Sequence, residues 1–383
     1  MHSTLRNRIS LVCLVVALFC LFACYPHRGL DGNHRSSAIQ AHDDRDHQVE
    51  ITELTPLLKS DGTLLARGWA RTPLMQYNPK AIPKDLRPRK KEWEHYTIVS
   101  PDFAFTITAA DIRFATFVAF EVIDFATGKI ESGISIVSGS RGKFPRTPFG
   151  EVAFVNGKTS IRMQYEEGMR TIDAHMAATF LSPEMDCRLT LTAKSPDENV
   201  AAAAPFAQKG TFFYENKIFG MPVAGYAVID GKRYEFDPQK FIGILDWGRG
   251  VWPHATEWHW GFAAGYKDGG IIGFNIGDGL SDDSLGTANA LKYHGRIHKF
   301  YRVDFDYDPE DLMKPWKITG DGGRLVATFT PFYHQRGGAI VLDIGLLLDK
   351  MYGTFSGTMI LDDGTKVAFE KLLGFIEHSV QKW

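Results

Sequence analysis

Residues 245–260 combine large aromatic rings with ionisable groups in one short segment. Their sequence, LDWGRGVWPHATEWHW, holds four tryptophans, two histidines, two carboxylates and one arginine. Large aromatic rings are costly to leave in water, and ionisable groups are costly to bury unless they are paired. The segment is therefore predicted to wall a partly apolar cavity into which a few polar groups point.

Asp246 and Arg249 bracket a Trp-Gly pair, and two interpretations of them stay open. In the catalytic one, Asp246 is a general acid in an apolar pocket, or accepts a hydrogen bond from a ligand hydroxyl, and Arg249 orients it. In the structural one, the two side chains form an ion pair that pins a glycine-rich bend.

Glu257 and His259 belong to a strand-like run, residues 256–260. Alternation along a strand would place them on one face, and Trp258 and Trp260 on the other. A histidine beside a carboxylate is suited to relaying protons, so we predict Glu257 and His259 as a relay for Asp246. A hydrogen-bonded polar face at the mouth of a barrel is the alternative.

Further residues are predicted to contact a ligand because aromatic rings and amides suit a wet cavity mouth. Stacking of the tryptophans on a carbohydrate is a rival use. The predicted ligand contacts are Trp247, Trp252, Trp258, Trp260, His254, Asn275 and Asn289.

Cofactor and metal motifs are missing from the sequence. It lacks the His-x-His, His-Glu-x-x-His and Cys-x-x-Cys spacings of metal sites and the Gly-x-Ser-x-Gly of hydrolases. Two stretches are rich in glycine, residues 248–250 and 273–279. Neither is predicted to open a helix after a parallel strand, as a nucleotide site would require. We therefore predict no metal, cofactor or nucleotide, and interpret Asp278, Asp282 and Asp283 as a solvated acidic turn.

Composition narrows the class of protein further. The net charge is only -2 over 383 residues and no lysine-rich run extends beyond Lys90-Lys91, which argues against binding to nucleic acid through a basic face. With 44% hydrophobic residues the chain can bury a substantial core. Only Cys187 lies in the body of the chain, so stability must come from packing rather than from an internal disulfide.

Turn signals recur between short alternating segments, and useful helical periodicity is almost missing. This pattern predicts an all-β protein of antiparallel hairpins, in two barrel or sandwich halves, with short helical turns only at residues 309–314 and 338–348. The predicted hairpin turns are Asn156-Gly157, Asp230-Gly231, Asp268-Gly269-Gly270, His294-Gly295 and Asp363-Gly364.

The N-terminus has the pattern of an export signal. Residues 1–23 carry a basic start and an apolar run, and Cys24 follows as in a bacterial lipobox, so we predict a lipoprotein anchored to the membrane of the cell envelope. A plain cleaved signal or an uncleaved anchor is the alternative. Residues 24–50 are predicted as a flexible tether, residues 51–200 as an N-terminal β half and residues 201–383 as a C-terminal β half.

Five segments together resemble a known bacterial family, the domain of unknown function 2804. They are RGWARTPL at residues 67–74, KKEWEHY at 90–96, FIGILDWGRGVWP at 241–253, MKPWK at 313–317 and GFIE at 374–377. The resemblance implies a two-part lipocalin-like body, similar to that of the carotenoid hydratases, tocopherol cyclases and AttH-type proteins, which handle long apolar substrates. It also implies a glutamate where this chain has Ala288. If that acid is catalytic in relatives, this protein is expected to bind rather than react.

The expected function follows from the cavity and from this resemblance. We expect a tethered lipocalin-like protein that binds a fatty-acyl or isoprenoid lipid, either as a carrier or as a hydratase, cyclase or isomerase using acid–base chemistry. The alternative is a non-catalytic module that binds glycans or other partners in the cell envelope. Tryptophans on an open surface would favour that alternative.

Overall fold

The computed structural model describes residues 48–180, 182–193, 197–341 and 343–382. The predicted signal, Cys24 and nearly all of the predicted tether lie outside these residues. The last tether residues belong to the fold, because Gln48 is buried and donates from Nε2 to the Asp283 carbonyl (2.7 Å). No helix in the described ranges is long and apolar enough to cross a membrane.

The described chain is almost entirely β structure, which confirms the all-β prediction; its helical parts are the 3-10 turns Pro79–Ala81, Arg87–Arg89 and Asp321–Gly323. The first strands are β1 (Thr55–Pro56), β2 (Gly68–Ala70), β3 (Met75–Gln76), β4 (Lys90–Val99), β5 (Phe103–Asp111), β6 (Ala115–Asp124), β7 (Ile130–Ser138), β8 (Val152–Asn156), β9 (Thr159–Glu166), β10 (Met169–Met176), β11 (Met185–Thr192), β12 (Val200–Pro205), β13 (Phe212–Ile229), β14 (Lys232–Phe236) and β15 (Ile242–Val251). The remaining strands are β16 (Ala255–Lys267), β17 (Gly270–Asp278), β18 (Ala290–Tyr293), β19 (Arg296–Lys299), β20 (Val303–Asp306), β21 (Trp316–Gly320), β22 (Leu325–Val341), β23 (Ile344–Ile360) and β24 (Lys366–Lys382).

Two large curled sheets contain nearly all of these strands. The first has 13 strands, with the path β7-β6-β5-β4-β15-β13-β11-β10-β9-β8 and β2, β12 and β14 attached to it. The second has nine, in the order β19-β18-β17-β16-β24-β23-β22-β21-β20. The chain passes from one sheet to the other between Val251 and Ala255. The division into halves at residue 200 stays a prediction, although β12 and β13, on its C-terminal side, pair within the first sheet.

All five predicted hairpin turns separate neighbouring strands, because Asn-Gly and Asp-Gly pairs tolerate the positive φ that such turns need. The helical turn predicted at residues 338–348 is wrong, since β22 and β23 pair directly around that point. Gly338 and Gly345 allow this pairing, because a Cβ atom there would lie 2.0 Å from the Leu346 oxygen and 1.9 Å from the Ala339 oxygen. Residues 309–314 form turns rather than a helix.

Apolar side chains form a core within each sheet and a third core between the sheets. Trp247 belongs to the core of the first sheet and Trp316 to that of the second. The inter-sheet core includes Phe219 from the first sheet and Phe262 and Phe375 from the second. Each such side chain contributes about 1.5–3 kcal/mol on burial, so the inter-sheet core holds the two sheets together.

Candidate functional site between the two sheets

A cavity of about 350 Å³ lies between the two sheets. Trp93 of β4 and Trp252, just after β15, line it from the side of the first sheet. Trp258 and Trp260 of β16 and Tyr352 of β23 line it from the second. The tryptophan-rich segment, residues 245–260, therefore forms part of a cavity wall, and much of this wall is aromatic.

Strand alternation divides the 241–253 segment between two environments. Asp246 points to the cavity, whereas Trp247 and Arg249 point into the core of the first sheet. Trp247 is fully buried, with its ring edge-on to Tyr214 at 5.2 Å. Trp247 is therefore a core residue rather than a ligand contact.

Asp246 forms an ion pair, but its partner is Lys217 of β13. The Lys217 Nζ lies 2.7 Å from Asp246 Oδ1 and 3.1 Å from Glu215 Oε2. Trp93 Nε1 donates to the other Asp246 oxygen (3.1 Å). The predicted Asp246–Arg249 pair is wrong, because residues three apart on a regular strand face opposite sides of the sheet.

Arg249 instead satisfies backbone carbonyls inside the first sheet. Its Nη1 donates to the carbonyls of Trp93 (2.7 Å) and Gly248 (2.8 Å), and its Nη2 to that of Pro145 (2.9 Å). Burial lowers its pKa, and the nearby Glu92 and Glu94 carboxylates oppose that effect. These contacts make Arg249 a packing residue, and none of them supports its proposed orienting role.

His259 and Glu257 share one face of β16, but they do not bond to each other. His259 Nδ1 lies 2.9 Å from Asp278 Oδ1, and its Nε2 lies 3.2 Å from the Tyr307 hydroxyl. Glu257 is exposed and lies 2.8 Å from Nε2 of His378, whose ring stacks on His259. Both side chains alternate with Trp258 and Trp260 along β16, and His259 still lines the cavity together with Asp278, whereas Glu257 does not. The partners of Asp246 are Lys217 and Trp93, so a direct relay from His259 and Glu257 to Asp246 is not assembled.

The other predicted ligand contacts differ in where they lie. His254 is exposed beside Asp343 and does not line the cavity. Asn275 and Asn289 do line it, but they are engaged by the protein. Asn275 Oδ1 accepts from Trp260 Nε1 (2.8 Å), and Asn289 Oδ1 accepts from the Gly277 amide (2.6 Å). Asn275 Nδ2 also donates to the Ala288 carbonyl (2.9 Å) and Asn289 Nδ2 to the Gly277 carbonyl (3.0 Å), so the protein fixes both amides in the wall.

Two buried polar groups in the cavity wall lack partners among the described residues: Trp252 Nε1 and the Tyr352 hydroxyl. Buried polar groups are nearly always satisfied, so a water or a ligand group is expected at each. Ala288 also lines the cavity, so a glutamate there, as the family resemblance implies for relatives, would sit in this wall.

Asp283, which the sequence predicted to lie in a solvated acidic turn, is instead an acid of the cavity wall. It lines the cavity and is only partly exposed, unlike a residue of a solvated turn. Burial raises its pKa to about 7; the Gly279 amide, which donates to it, opposes this shift, while the carboxylates of Asp278 and Glu215 add to it. A carboxyl group with a pKa near neutrality can exchange protons at physiological pH.

A group that could hold a metal ion occurs elsewhere on the surface. His175, Glu184 and Asp186 place one ligand atom each within 4.8 Å of one another. His175 and Asp186 already contact each other at 2.8 Å, and none of the three lines the cavity. These three residues therefore lie outside the candidate site.

The whole described body matches one family in sequence. The match to the family named "Domain of unknown function (DUF2804)" covers residues 48–383. The chain belongs to the DUF2804 family. This confirms the resemblance drawn from the five segments, two of which, residues 241–253 and 90–96, pair here through β15 and β4.

Solved structures similar to this DUF2804 chain are distant. A Nitrosomonas europaea protein provisionally identified as AttH is 15% identical, with a TM-score of 0.48, and the match covers 82% of this chain and 99% of that one. Kievitone hydratase from Nectria haematococca is 10% identical, with a TM-score of 0.41, over 76% of this chain and 88% of that one. No protein of curated function matches the sequence significantly.

Position 248 needs a glycine because the ring of Trp93 packs directly against its backbone. A Cβ atom at Gly248 would lie 2.1 Å from the Trp93 Cζ2 atom, so the indole that donates to Asp246 packs directly on the glycine. We expect Gly248→Ala to displace this ring and to lower the free energy of unfolding by about 1–3 kcal/mol. Urea denaturation measures the loss, and in a Trp93→Phe background the same substitution should cost much less. An equal cost in both backgrounds would contradict this packing.

His95, in the cavity wall, should make the protein acid-sensitive. Its ring nitrogens lie 2.7 Å from Thr108 Oγ1 and 2.9 Å from Thr97 Oγ1, and burial, followed by the charge of Lys350, lowers its pKa from 6.5 to about 3. Below pH 6.5, His95 therefore binds a proton in the unfolded chain but not in the folded protein. Stability should fall as the pH drops from about 6.5 towards 3, by at most about 1.4 kcal/mol per pH unit from this group.

The variant His95→Gln isolates this contribution. Urea midpoints of the two proteins should converge as the pH falls from neutrality, because only the wild type loses the His95 contribution. Other titrating groups act equally in both proteins. His175→Gln, at a histidine whose side chain is 40% exposed, serves as the control and should keep the wild-type pH profile. Parallel profiles for wild type and His95→Gln would refute the prediction.

Proposed function

We propose that the inter-sheet cavity binds an elongated, mainly apolar small molecule and carries out acid–base chemistry on it, as a hydratase, isomerase or cyclase. One observation carries the proposal: Asp283, with a pKa near 7, and the Asp246–Lys217 pair lie in the same tryptophan-lined cavity. Cavities of this size, mostly apolar with a few polar groups, are typical small-molecule sites.

The geometry favours Asp283 as the proton donor and Asp246 as the charged partner. The Asp246 carboxylate lies 2.7 Å from the Lys217 ammonium, and as a negative charge in the cavity wall it can stabilise positive charge that develops on a ligand. Protonation of a carbon–carbon double bond creates a carbocation, which the faces of aromatic rings stabilise. Trp252 and Trp258, whose rings line the cavity, are the candidates for this role.

Two other functions use the same residues differently. A carrier would use the cavity without a reaction. A glycan-binding module would present its tryptophans on an open surface, but Trp252 is 3% and Trp260 7% exposed, which favours a small molecule. The substrate class, a fatty-acyl or isoprenoid lipid, is part of the proposal and rests on the family resemblance.

Filling the cavity tests ligand binding. Ala288→Trp should weaken binding of the neutral apolar dye N-phenyl-1-naphthylamine at least about tenfold, a change of about 1.4 kcal/mol. Quenching of tryptophan fluorescence reports the dye. Ala126→Trp, the same change in an exposed turn, should leave binding unchanged. Equal dye binding by wild type and Ala288→Trp would rule out this cavity as the site.

Isotope exchange separates an enzyme from a carrier. Lipids extracted from the purified protein and identified by mass spectrometry are returned to it in deuterated water. A hydratase or isomerase should incorporate deuterium at carbon, and Asp283→Asn should abolish incorporation while the dye still binds. A wild type that retains a lipid but never exchanges deuterium would be a carrier.

We also propose, from the sequence alone, that the protein is exported and anchored to the cell-envelope membrane through a lipid on Cys24. Cys24→Ser should move the protein from the membrane fraction to the soluble fraction. Mass spectrometry of the mature N-terminal peptide gives a direct test. An unmodified Cys24 within an intact N-terminal segment would refute both cleavage and lipidation.

A further inference from the structure

A second cavity, of about 410 Å³, lies apart from the inter-sheet cavity and shares no lining residue with it. Its wall includes Tyr165 of β9, Arg170 of β10 and Lys292 of β18. Arg71 and Phe149 also line it. The proposed function does not use this cavity.

Arg170 is the unusual residue of this wall. It is 1% exposed, and its Nη1 donates to the Pro148 carbonyl (2.8 Å). Its Nε and Nη2 have no hydrogen-bond partner in the described chain. The Tyr96 hydroxyl, which donates to Glu94 (3.3 Å), also lies beside the Arg170 guanidinium, but it does not form a regular hydrogen bond with either of these two donors. Two strong donors of a buried cation are therefore left without an acceptor, an arrangement that native proteins avoid.

The unused donors form one edge of the guanidinium. Nε–H and the Nη2–H beside it point in parallel, and this edge matches the two oxygens of a carboxylate in a bidentate pair. The guanidinium carbon lies 5.1 Å from the ring centre of Tyr165 and 5.8 Å from that of Phe149. An anion on this edge would therefore have aromatic surface beside it.

The other charges of the wall already have partners. Lys292 Nζ lies 3.1 Å from an Asp197 oxygen, and Arg71 Nη1 lies 3.1 Å from a Glu198 oxygen. Asp197 and Glu198 line the same cavity. The lining thus holds three cationic and two anionic side chains, and Arg170 is the cation that has no lining carboxylate at ion-pair distance. The buried Glu94 carboxyl, whose pKa burial raises to about 7, lies near Arg170 but outside the lining.

We propose that this second cavity binds an organic carboxylate. Its two oxygens accept from Nε and Nη2 of Arg170, and its hydrocarbon part packs against Phe149 and Tyr165. The aromatic walls favour a carboxylate that bears an apolar group over inorganic phosphate, which offers no surface for them. Binding gives Arg170 a carboxylate at ion-pair distance, which the lining itself does not provide.

Isothermal titration with benzoate, its neutral analogue benzamide and inorganic phosphate tests this site on the full chain. Benzoate should bind at one site per chain, benzamide should not, and phosphate should bind at least about tenfold more weakly than benzoate. Arg170→Lys keeps the charge but loses the fork, so it should weaken benzoate binding at least about tenfold. Arg188→Gln, at an exposed arginine on the neighbouring strand β11, should leave it unchanged.

Ala193→Phe fills the cavity while Arg170 itself is unchanged, and it keeps the test valid if Arg170→Lys fails to fold. It should also abolish benzoate binding. The proposal is overturned if benzoate does not bind at millimolar concentration, if benzamide binds equally well, or if Ala193→Phe retains full binding. Phosphate binding that equals benzoate binding would overturn the assignment to a carboxylate.

Discussion

Arg249→Met should lower the free energy of unfolding by about 3–5 kcal/mol, the cost of removing one partner from a buried charged network. The guanidinium is fully buried, and it is the donor to the carbonyls of Trp93, Gly248 and Pro145. Methionine fills a similar volume but leaves these oxygens without the donor they have now. Urea denaturation followed by circular dichroism measures the loss.

Two further variants make the Arg249 result specific. Arg146→Met, at an exposed arginine beside Pro145, should change the unfolding free energy by less than about 0.5 kcal/mol. The unfolding free energy of Arg249→Lys should lie between those of the wild type and Arg249→Met, because lysine keeps the charge but not the planar fork. A stable Arg249→Met protein that selectively loses the apolar dye would instead support the orienting role that the sequence suggested.

Local signals in the sequence predicted the fold well. A turn dipeptide such as Asn156-Gly157 acts through its own backbone, so neighbouring residues suffice to recognise it. The region of residues 338–348 was misjudged because its strands are specified by pairing between β22 and β23 rather than by its own periodicity. Tertiary pairing overrides a weak helical pattern.

The candidate site was predicted only in part. The aromatic and ionisable composition of residues 245–260 was sufficient to expect a cavity wall. The Asp246–Arg249 pair was wrong because a bend was assumed where β15 is a regular strand. The true partners of Asp246, Lys217 and Trp93, lie 29 and 153 residues away along the chain. Only the order of strands in the first sheet brings them together.

Lys217→Met should lower the free energy of unfolding by as much as Arg249→Met does, but this loss should depend on pH. The Lys217 side chain is 7% exposed and lies between the carboxylates of Asp246 and Glu215. Removing the ammonium leaves two largely buried acids without their cation, a loss of about 3–5 kcal/mol when both are ionised. Lys129→Met, at a lysine that is 64% exposed and paired with Glu131, should cost less than about 1 kcal/mol.

The sign of the pH effect follows from the burial of these acids. Without Lys217, the folded-state pKa of Glu215, already raised by burial, rises further. An acid whose pKa is higher in the folded state than in the unfolded chain destabilises the fold as the pH rises. The deficit of Lys217→Met relative to wild type should therefore be largest at pH 8 and shrink towards pH 5 in urea denaturation.

Asp246→Asn in the Lys217→Met background should recover part of the loss, since it removes one of the two uncompensated charges. A double-mutant cycle between these residues should give a coupling energy of about 1–3 kcal/mol, within the range for residues in direct contact. A coupling near zero, with a deficit that does not change with pH, would mean that Asp246 is not held as an anion by Lys217. The sequence-based assignment of Asp246 as the proton donor would then be preferred over Asp283.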